Sequence, residues 1–393
     1  MNQTLPLTNI PQELKLILEL LRNQHDDQSE ESWVNYTRSI DWNHFFKLAM
    51  HHRVYPLLHV KLNENKKLKI PKAVSEKLKA QYEHNTIKML YLSGEMEAVS
   101  TLFLGENIPT LFLKGPVIAE HLYQNLSLRT SSDLDFLISI EHLQKAEELL
   151  VSLGYEKDDY IQTVLGDWKW RHHHVTYFHP IKRIKLEIHW RLNPGPSSEP
   201  QFKELWSRKR LSTVTSSPVY FLGQEDLTVF LISHGARHGW SRLRWLADIH
   251  QILNQDIEWK LVYNLFKKHS NYHVGGQALL LVKACFQSSI PEGAHKFFIT
   301  KKAKRLAQGA FYYLEQMINL HTEPLAEDIS AYHSRHLFSL MSTQQKAWFL
   351  LSFLYPYPED AETLPLPSYL HFFYFPLRPV LWAWRKTRKQ VFS

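Results

Sequence analysis

The chain contains a single cysteine, Cys285, in 393 residues. One thiol cannot form an intrachain disulfide, which is compatible with a reducing compartment. The first residues, MNQTLPLTNIPQELK, lack the basic start and the apolar core of a secretory signal. No run reaches the ~18 uninterrupted apolar residues of a membrane-spanning helix. From these absences we expect a cytoplasmic protein without a transmembrane segment.

Several catalytic motifs are also missing. The sequence has no P-loop, dinucleotide fingerprint or kinase signature, and no G-x-S-x-G elbow supports a Ser-His-Asp hydrolase. The run His172-His173-His174 invites a zinc site. Consecutive strand residues point to opposite faces, however, so at best His172 and His174 share a face. A metal site on this run is therefore not expected.

Positively charged residues are in slight excess over negatively charged ones. Charged residues make up 22% of the chain and hydrophobic residues 44%, as in ordinary globular proteins, and the formal net charge is +7. A basic protein favours an anionic ligand, either a nucleotide or nucleic acid. The basic residues form no obvious stripe, which makes nucleic acid the less favoured partner without excluding it. Aromatic residues, at 13%, predict large buried rings or an aromatic cleft.

A strand, a tight turn and a helix are predicted between residues 108 and 123. Ile108 to Leu113 is mostly apolar and ends at Lys114-Gly115, as a buried strand does at a turn. Pro116 fits the first turn of a helix, where its missing N–H costs nothing. The free N–H groups of this helix would face the Lys-Gly turn, where they could hold a phosphate.

The next strand, Leu134 to Ile138, follows an Asp-x-Asp motif. Alternation along a strand places Asp133 and Asp135 on the same side. Two adjacent carboxylates repel each other unless a cation lies between them, and oxygen ligands of this kind suit magnesium. The alternative is a solvated turn that merely precedes a strand. The Lys-Gly turn and Arg129, just upstream, favour the metal site.

A third acid is present in the segment KLEIHWRL, residues 185 to 192. Its alternation predicts a strand with Glu187 and His189 on one face. A carboxylate on a strand beside the Asp-x-Asp strand would complete a cluster of three acids. The alternative is an edge-strand glutamate that faces water.

This order of elements resembles the nucleotidyltransferase fold shared with DNA polymerase beta. The chain more closely resembles an uncharacterised bacterial nucleotidyltransferase family. The resemblance lies in LKG, LYQNLSLRTSSDLDFLI, a helix ending in LGY, and then LEIHWRL. The segment HGARHGWSRLRWLADIHQIL is similar to the helical region of that family. The resemblance covers roughly residues 81 to 253.

The resemblance and the helical periodicities together predict an α+β protein. A small mixed β-sheet, the nucleotidyltransferase core at residues 108–200, would be flanked by N-terminal helices at 1–107 and a C-terminal helical domain at 201–393. The N-terminal region includes a long helix from Pro71 to about Leu104. The stretch Asn193 to Pro200, rich in proline and serine, is the expected boundary.

The resemblance also implies a reaction. It is the Mg²⁺-dependent transfer of a nucleoside monophosphate from an NTP, most commonly ATP, to a peptide, sugar or small-molecule acceptor, with pyrophosphate leaving. Natural-product and surface-polysaccharide biosynthesis are the settings that the family implies. Asp133, Asp135 and Glu187 would be the catalytic acids and hold two Mg²⁺ ions, for which Mn²⁺ can substitute. Glu187 could instead be a general base. The nucleotide-binding candidates are Lys114, Gly115, Arg129, Ser132 and His189.

Further substrate contacts are predicted between two helices of the C-terminal region. The cluster around Gly235 and Gly239 could face the cleft between the domains and consists of His234, Arg237, His238, Arg242 and Arg244. The alternative is an interhelical turn with basic surface residues. Arg244 and Asp248, four residues apart, have the spacing of a helix ion pair.

Two other functions remain open: a metal-dependent glycosyltransferase that uses Asp-x-Asp on a nucleotide-sugar, and a non-catalytic nucleotide-binding protein. The Lys-Gly turn departs from the Gly-Ser of most polymerase-beta-like enzymes, which leaves the phosphate contacts open. The C-terminal segment SYLHFFYFPLRPVLWAWRKTRKQ has an interfacial membrane composition. Pro376 and Pro379 should break a long helix there, which favours packing of the segment on the helical domain.

Overall fold

The structure is a computed structural model, which describes residues 5, 10–22, 37–65, 68, 70–159, 161, 163–269, 272–320 and 324–391, without the side chains of 296–299 and 388–391. The N-terminal region is helical, as predicted: α1 Gln12–Leu21, α2 Trp42–His51, α3 Tyr55–Glu64 and α4 Lys72–Gly105. Asp41 caps α2 by accepting hydrogen bonds from the amides of Asn43 and His44. The long α4 carries a buried apolar stripe against the rest of the fold.

A single mixed sheet forms the centre of the described structure. Its strands are β1 Leu111–Phe112, β2 Asp133–Leu137, β3 Glu156–Lys157, β4 His174–His179, β5 Ile184–His189, β6 Arg210–Leu211 and β7 Tyr220–Phe221. They lie in the order β3-β4-β5-β2-β1-β7-β6. β2 pairs with β5 in parallel, whereas β1 pairs with β2 and β4 with β5 in antiparallel fashion. The predicted α+β class with a small mixed sheet is confirmed.

The two faces of the sheet have different roles. On one face, Phe136 of β2 contacts Phe103 of α4 at a ring-centroid distance of 5.5 Å and also packs on Phe112 of β1. Side chains alternate along β2, so Asp133 and Asp135 face the opposite side. Helix α4 therefore supports the sheet from behind and leaves the acidic face open to the functional site.

The sheet continues past the boundary expected at residue 200. β7 pairs in parallel with β1, and β6 pairs with β7, so residues 210–221 belong to the sheet. Between the strands lie α5 Pro116–Tyr123, α6 Leu143–Ser152, α7 Trp168–Arg171 and α8 Phe202–Ser207. The division of the chain into three domains remains a prediction.

The rest of the chain is helical. The helices are α9 Gln224–Arg237, α10 Leu243–Leu253, α11 Trp259–Lys268, α12 Tyr272–Phe286, α13 Lys301–Glu315, α14 Glu327–Leu340, α15 Thr343–Ser352, α16 Pro358–Thr363 and α17 Tyr374–Val391. The helical character predicted for the C-terminal region is thus present from α9 onward. In the described part of the chain, no helix has both the length and the apolar composition to cross a bilayer.

The C-terminal segment differs from its prediction in two ways. Helix α17 runs through Pro379, and Pro376 lies in its first turn, where no intrahelical N–H bond is lost. Tyr374 and Leu381 are buried, but Tyr369, Trp382 and Trp384 are more than half exposed. The prediction that the apolar residues pack on the helical domain is therefore wrong for most of them.

Candidate active site

The parallel register of β2 and β5 places their polar side chains next to one another. It pairs Asp133 with Lys185, Asp135 with Glu187, and Leu137 with His189. Residues of one pleat face the same side of the sheet. Glu187 therefore lies beside Asp135 instead of facing open solvent, which was the alternative for an edge-strand glutamate.

Asp135 lies at the centre of this polar cluster and is fully buried. Its Oδ1 is 2.8 Å from Lys114 Nζ and 3.3 Å from His189 Nε2. His189 Nε2 is also 3.5 Å from Glu187 Oε2, and Lys185 Nζ is 2.7 Å from Glu187 Oε1. Each of the two carboxylates is thus matched by a cation and by the shared imidazole.

The protonation of the cluster follows from burial and from these neighbours. Burial raises the pKa of Asp135, and the Lys114 ammonium opposes that effect. Burial would also raise the pKa of Glu187, but the hydrogen bond from His189 and the charge of Lys114 hold this pKa well below its usual range. Burial would lower the pKa of His189, yet its bonds to both acids raise it. Glu187 is therefore the carboxylate that most strongly keeps its charge.

The donor set of this cluster fits a divalent cation. One ligand atom each from Asp135, Glu187 and His189 lies within 4.8 Å of the others. Asp135 Oδ2 and His189 Nδ1 are buried and have no hydrogen-bond partner among the described residues, and buried polar atoms normally have one. Two carboxylates with an imidazole suit a divalent ion such as Mn²⁺ or Mg²⁺. Among the described residues, this group of three does not include Asp133, which instead lines the cleft that covers the cluster.

The histidine run lies closer to the site than predicted. Strand β4 begins only at His174, so His173 precedes the strand and is not bound by its alternation. His173 Nε2 lies 3.2 Å from His174 Nδ1, and these two residues with His189 form a second group of possible metal ligands. The rings of His173 and His174 lie side by side, with centroids 4.4 Å apart, so the expectation that at best His172 and His174 share a face is wrong.

A basic cleft of about 590 Å³ covers the acidic face. Among the described residues, six Lys or Arg side chains and two carboxylates line it. The cations come from distant parts of the chain and are Arg53, Lys114, Lys185, Arg237, Arg242 and Arg244. Such an excess of positive charge in a concave site attracts and concentrates anions. A polyphosphate is the kind of ligand that this charge suits.

The predicted substrate contacts all line this cleft. His234 and Arg237 lie at the end of α9, and His238 follows directly. Arg237 Nη1 is 3.3 Å from His173 Nε2, and burial lowers the pKa of Arg237 to about 10. Burial also lowers the pKa of His234 well below its usual value, so this imidazole is neutral. The three residues are not the surface bases of an ordinary turn.

Of the predicted nucleotide-binding residues, Lys114, Ser132 and His189 line the cleft, whereas Gly115 and Arg129 are not part of its described wall. Gly115, with φ of +84°, is the N-cap of α5, and a Cβ there would lie 3.3 Å from Leu134. Its left-handed backbone sharpens the turn that brings Lys114 to Asp135.

Arg129 forms a buried ion pair. Its guanidinium binds both carboxylate oxygens of Asp248 at 3.0–3.1 Å, and both side chains are 1% exposed. The expected Arg244–Asp248 helix pair is wrong: Arg244 instead donates to the carbonyl and hydroxyl of Thr130. These contacts fix the loop before the aspartates to helix α10.

Sequence reasoning missed Arg53 and His333 as cleft residues, whereas Arg242 and Arg244 line the cleft as expected. Arg53 lies in the turn between α2 and α3, with φ of +56°. Arg242 precedes α10 and donates to Asn319 Oδ1 at 2.8 Å and to the carbonyl of His51. No local motif marks Arg53 or His333. Only the packing of the N-terminal and C-terminal helices around the sheet brings them together.

The turn between α9 and α10 depends on glycine. At Gly239, φ is +61°, and a Cβ would lie 2.5 Å from the ring of Tyr313. We expect Gly239→Ala to lower the free energy of unfolding by about 1–3 kcal/mol, because alanine is both strained and overpacked there. The matched control, Gly94→Ala, meets nothing within 4 Å in the middle of α4 and should be neutral or stabilising. Denaturant unfolding of both variants checks this; equal effects would contradict it.

Acids on adjacent strands beneath a basic cleft are an arrangement that suits both a divalent cation and a phosphoryl group. The comparison with protein families agrees with this chemistry. A family model described as "uncharacterised nucleotidyltransferase" matches residues 38–287, well over half of the chain, and the chain belongs to that family. No curated protein and no solved structure gives a match. The family recognised from the sequence is thus confirmed, and its general reaction is nucleotidyl transfer.

Proposed function

We propose that the protein is a Mg²⁺-dependent enzyme that transfers a nucleoside monophosphate from an NTP to an acceptor and releases pyrophosphate. ATP is the proposed donor, and a hydroxyl of a peptide, sugar or small molecule is the proposed acceptor. The observation that carries the proposal is the meeting of Asp135, Glu187 and His189 beneath the basic cleft. Membership in the nucleotidyltransferase family supports the type of reaction.

Asp133, Asp135 and Glu187 are the proposed metal ligands, with His189 orienting Asp135 and Glu187. When bound, divalent ions lower the pKa of the acceptor hydroxyl and neutralise the leaving pyrophosphate. Lys114 neutralises Asp135 at 2.8 Å, and Lys185 neutralises Glu187 at 2.7 Å. Both ammonium groups also border the cleft, where they would contact phosphate oxygens of the nucleotide.

The basic wall opposite the acids is the proposed triphosphate site. Arg237 and Arg242 reach it from the C-terminal helices and Arg53 from the N-terminal ones. Arg244 contributes charge and also holds Thr130, two residues before Ser132. Arginine donors that face developing negative charge stabilise the transition state of phosphoryl transfer. Arg129 supports this wall from behind through Asp248 and does not bind the nucleotide in this proposal.

Arg53 gives a test of the triphosphate site. We expect Arg53→Ala to weaken Mg²⁺–NTP binding about 10- to 100-fold, since one hydrogen bond to a charged group contributes about 1.5–3 kcal/mol. Arg38→Ala, at an exposed position before α2, is the matched control and should bind like the wild type. Isothermal titration calorimetry with a non-hydrolysable NTP analogue measures both. Equal affinities for the two variants would place the triphosphate elsewhere.

The reaction itself is tested by incubation of the protein with α-labelled NTPs, Mg²⁺ and a cell extract. We expect label to enter an acceptor fraction together with release of pyrophosphate, and chelation of Mg²⁺ to stop both. A thermal-shift screen runs in parallel. Stabilisation by UDP-sugars but not by NTPs would favour the glycosyltransferase, and no stabilisation by any nucleotide would favour a non-catalytic protein.

A further inference from the structure

The exposed apolar surface of the molecule is concentrated in its C-terminal helices. More than half of the large hydrophobic side chains that the structure describes as exposed lie between residues 348 and 384. We call the set Trp348, Leu351, Tyr369, Phe372, Trp382 and Trp384 the C-terminal aromatic surface. Each of its members is at least half exposed. Exposed apolar groups in such concentration mark a binding surface for a partner or a membrane.

The helices that carry this surface are fixed by internal ion pairs. Asp360 of α16 is fully buried and pairs with Arg378 and Arg385 of α17. Tyr355, just after α15, contacts Phe375 of α17 at 4.9 Å. Buried ion pairs and a few ring contacts thus hold the helices together, and the rings of the C-terminal aromatic surface are left on the outside. This is the reverse of a core arrangement.

The charge of the segment is basic outside these internal pairs. Residues 343–391 contain six Lys or Arg and three Asp or Glu. Asp360 is neutralised by its two arginines, which leaves basic residues that include Lys346 and Lys386. Lys386 is exposed, and its ammonium lies 5.1 Å from the ring of Trp382. Tryptophan, tyrosine and lysine side by side are the combination that favours the interface between water and anionic lipid.

The aromatic surface also borders the catalytic region. Trp348 and Leu351 line an apolar cavity of about 650 Å³ whose other walls include Trp170 and Pro196. Pro194, on the same turn as Pro196, lines the basic cleft. The ring of Tyr357 lies between two guanidinium groups, with Arg378 Cζ 3.9 Å and Arg171 Cζ 4.3 Å from the ring centroid. Arg171 directly precedes the histidine run. Trp348 and Leu351 of the aromatic surface thus line a cavity that includes Pro196, two residues from the wall of the basic cleft.

From these observations we propose that the C-terminal aromatic surface binds an anionic lipid surface. No described helix is able to cross a bilayer, so the contact is interfacial. The proposal includes a substrate class, a part that rests on the proposed function: the acceptor is an amphipathic lipid whose apolar chain enters the cavity between Trp170 and Trp348. Its polar head would then lie at the wall of the basic cleft.

Vesicle co-sedimentation of the full chain tests the lipid contact without any nucleotide. We expect binding to vesicles of phosphatidylcholine and phosphatidylglycerol in equal parts, and little binding to phosphatidylcholine alone. The double variant Trp382→Ala/Trp384→Ala should lose at least about tenfold in partition coefficient, because two aromatic side chains no longer enter the interface. Lys386→Glu should reduce binding more than fivefold on the anionic vesicles. Ile181→Ala, an exposed apolar residue on the sheet domain, is the matched control and should bind like the wild type.

Two results would overturn the lipid contact. One is failure of the wild type to sediment with either kind of vesicle. The other is a dimer in analytical ultracentrifugation that the tryptophan double variant dissociates, which would make a second copy the occupant. The acceptor class is tested separately, by extraction of the labelled product of the transfer assay into organic solvent. Label confined to the aqueous phase would overturn the lipid acceptor while leaving nucleotidyl transfer intact, whereas no label in either phase would count against the proposed function itself.

Discussion

Asp135→Asn should abolish Mg²⁺-dependent pyrophosphate release. Asparagine keeps the shape of the side chain but removes the charge that Lys114 and His189 balance at 2.8 and 3.3 Å. A metal ion's stabilisation of transition-state charge is worth several kcal/mol, and each ~1.4 kcal/mol is a factor of about ten in rate. We therefore expect turnover to fall at least about 10³-fold. A continuous assay of pyrophosphate measures this loss.

The loss must come from chemistry and not from unfolding. Lys114 is 14% exposed and borders the cleft, so its ammonium can turn to water when its partner is neutral. We expect the thermal unfolding midpoint of Asp135→Asn to stay close to that of the wild type. Asp256→Asn, an exposed carboxylate after α10, is the matched control and should be fully active. Turnover of Asp135→Asn equal to that of the wild type would contradict the proposed mechanism.

The second large effect is expected at the buried ion pair behind the site. Asp248→Asn leaves the guanidinium of Arg129, 1% exposed, without its counter-charge. Removal of one partner of a buried pair costs about 3–5 kcal/mol, because the remaining charge stays desolvated. Asp248 also accepts a hydrogen bond from Tyr123 at 2.9 Å, which the variant weakens. Denaturant unfolding should show the full loss in the free energy of unfolding.

A surface ion pair provides the comparison for Asp248. Glu64 lies 3.5 Å from Lys61 and is 57% exposed, so Glu64→Gln should change the free energy of unfolding by less than about 1 kcal/mol. At a temperature where Asp248→Asn is still folded, its NTP affinity should remain near that of the wild type. A large loss of affinity with little loss of stability would instead make Arg129 a nucleotide ligand, as its sequence position suggested.

The polar centre of the site was predictable because it depends on alternation along single strands. Asp133 and Asp135 share a side of β2, and Glu187 and His189 share a side of β5, as the spacing required. The pairing of the two strands was also implied by the order of elements. Alternation predicts side-chain positions only within a strand, and His173 lies before β4. For that reason the position of His173 was missed.

The ion pairs around the site were not predictable, because their partners are far apart in the chain. Asp248 has the spacing for a helix pair with Arg244, but a buried Arg129, 119 residues away, takes it instead. An exposed i,i+4 pair contributes only a few tenths of a kcal/mol to stability. A buried charge without a partner costs far more, so the pairing of Asp248 with the buried Arg129 is favoured. Arg53 joins the cleft for a similar reason: helix packing, and not its own neighbours in sequence, places it there.

The limits of the sheet were missed because the outer strands are too short to show a period. β6 and β7 have two residues each, and β7 is held by its pairing with β1 on one side and β6 on the other. The prediction for the C-terminal helices was wrong for another reason. Proline was taken to break a helix, but both prolines of α17 lie near its start. An exposed aromatic face has the same helical periodicity as a buried one, so its surroundings could not be known.

Anomalous diffraction from crystals grown with Mn²⁺ and a non-hydrolysable NTP analogue tests the central claim most directly. The account predicts a manganese peak at coordination distance, about 2.2 Å, from a carboxylate oxygen of Asp135 and one of Glu187, with the triphosphate against the basic wall. A triphosphate bound in the cleft with manganese only on His173 and His174, or with no metal beside the two acids, would contradict it.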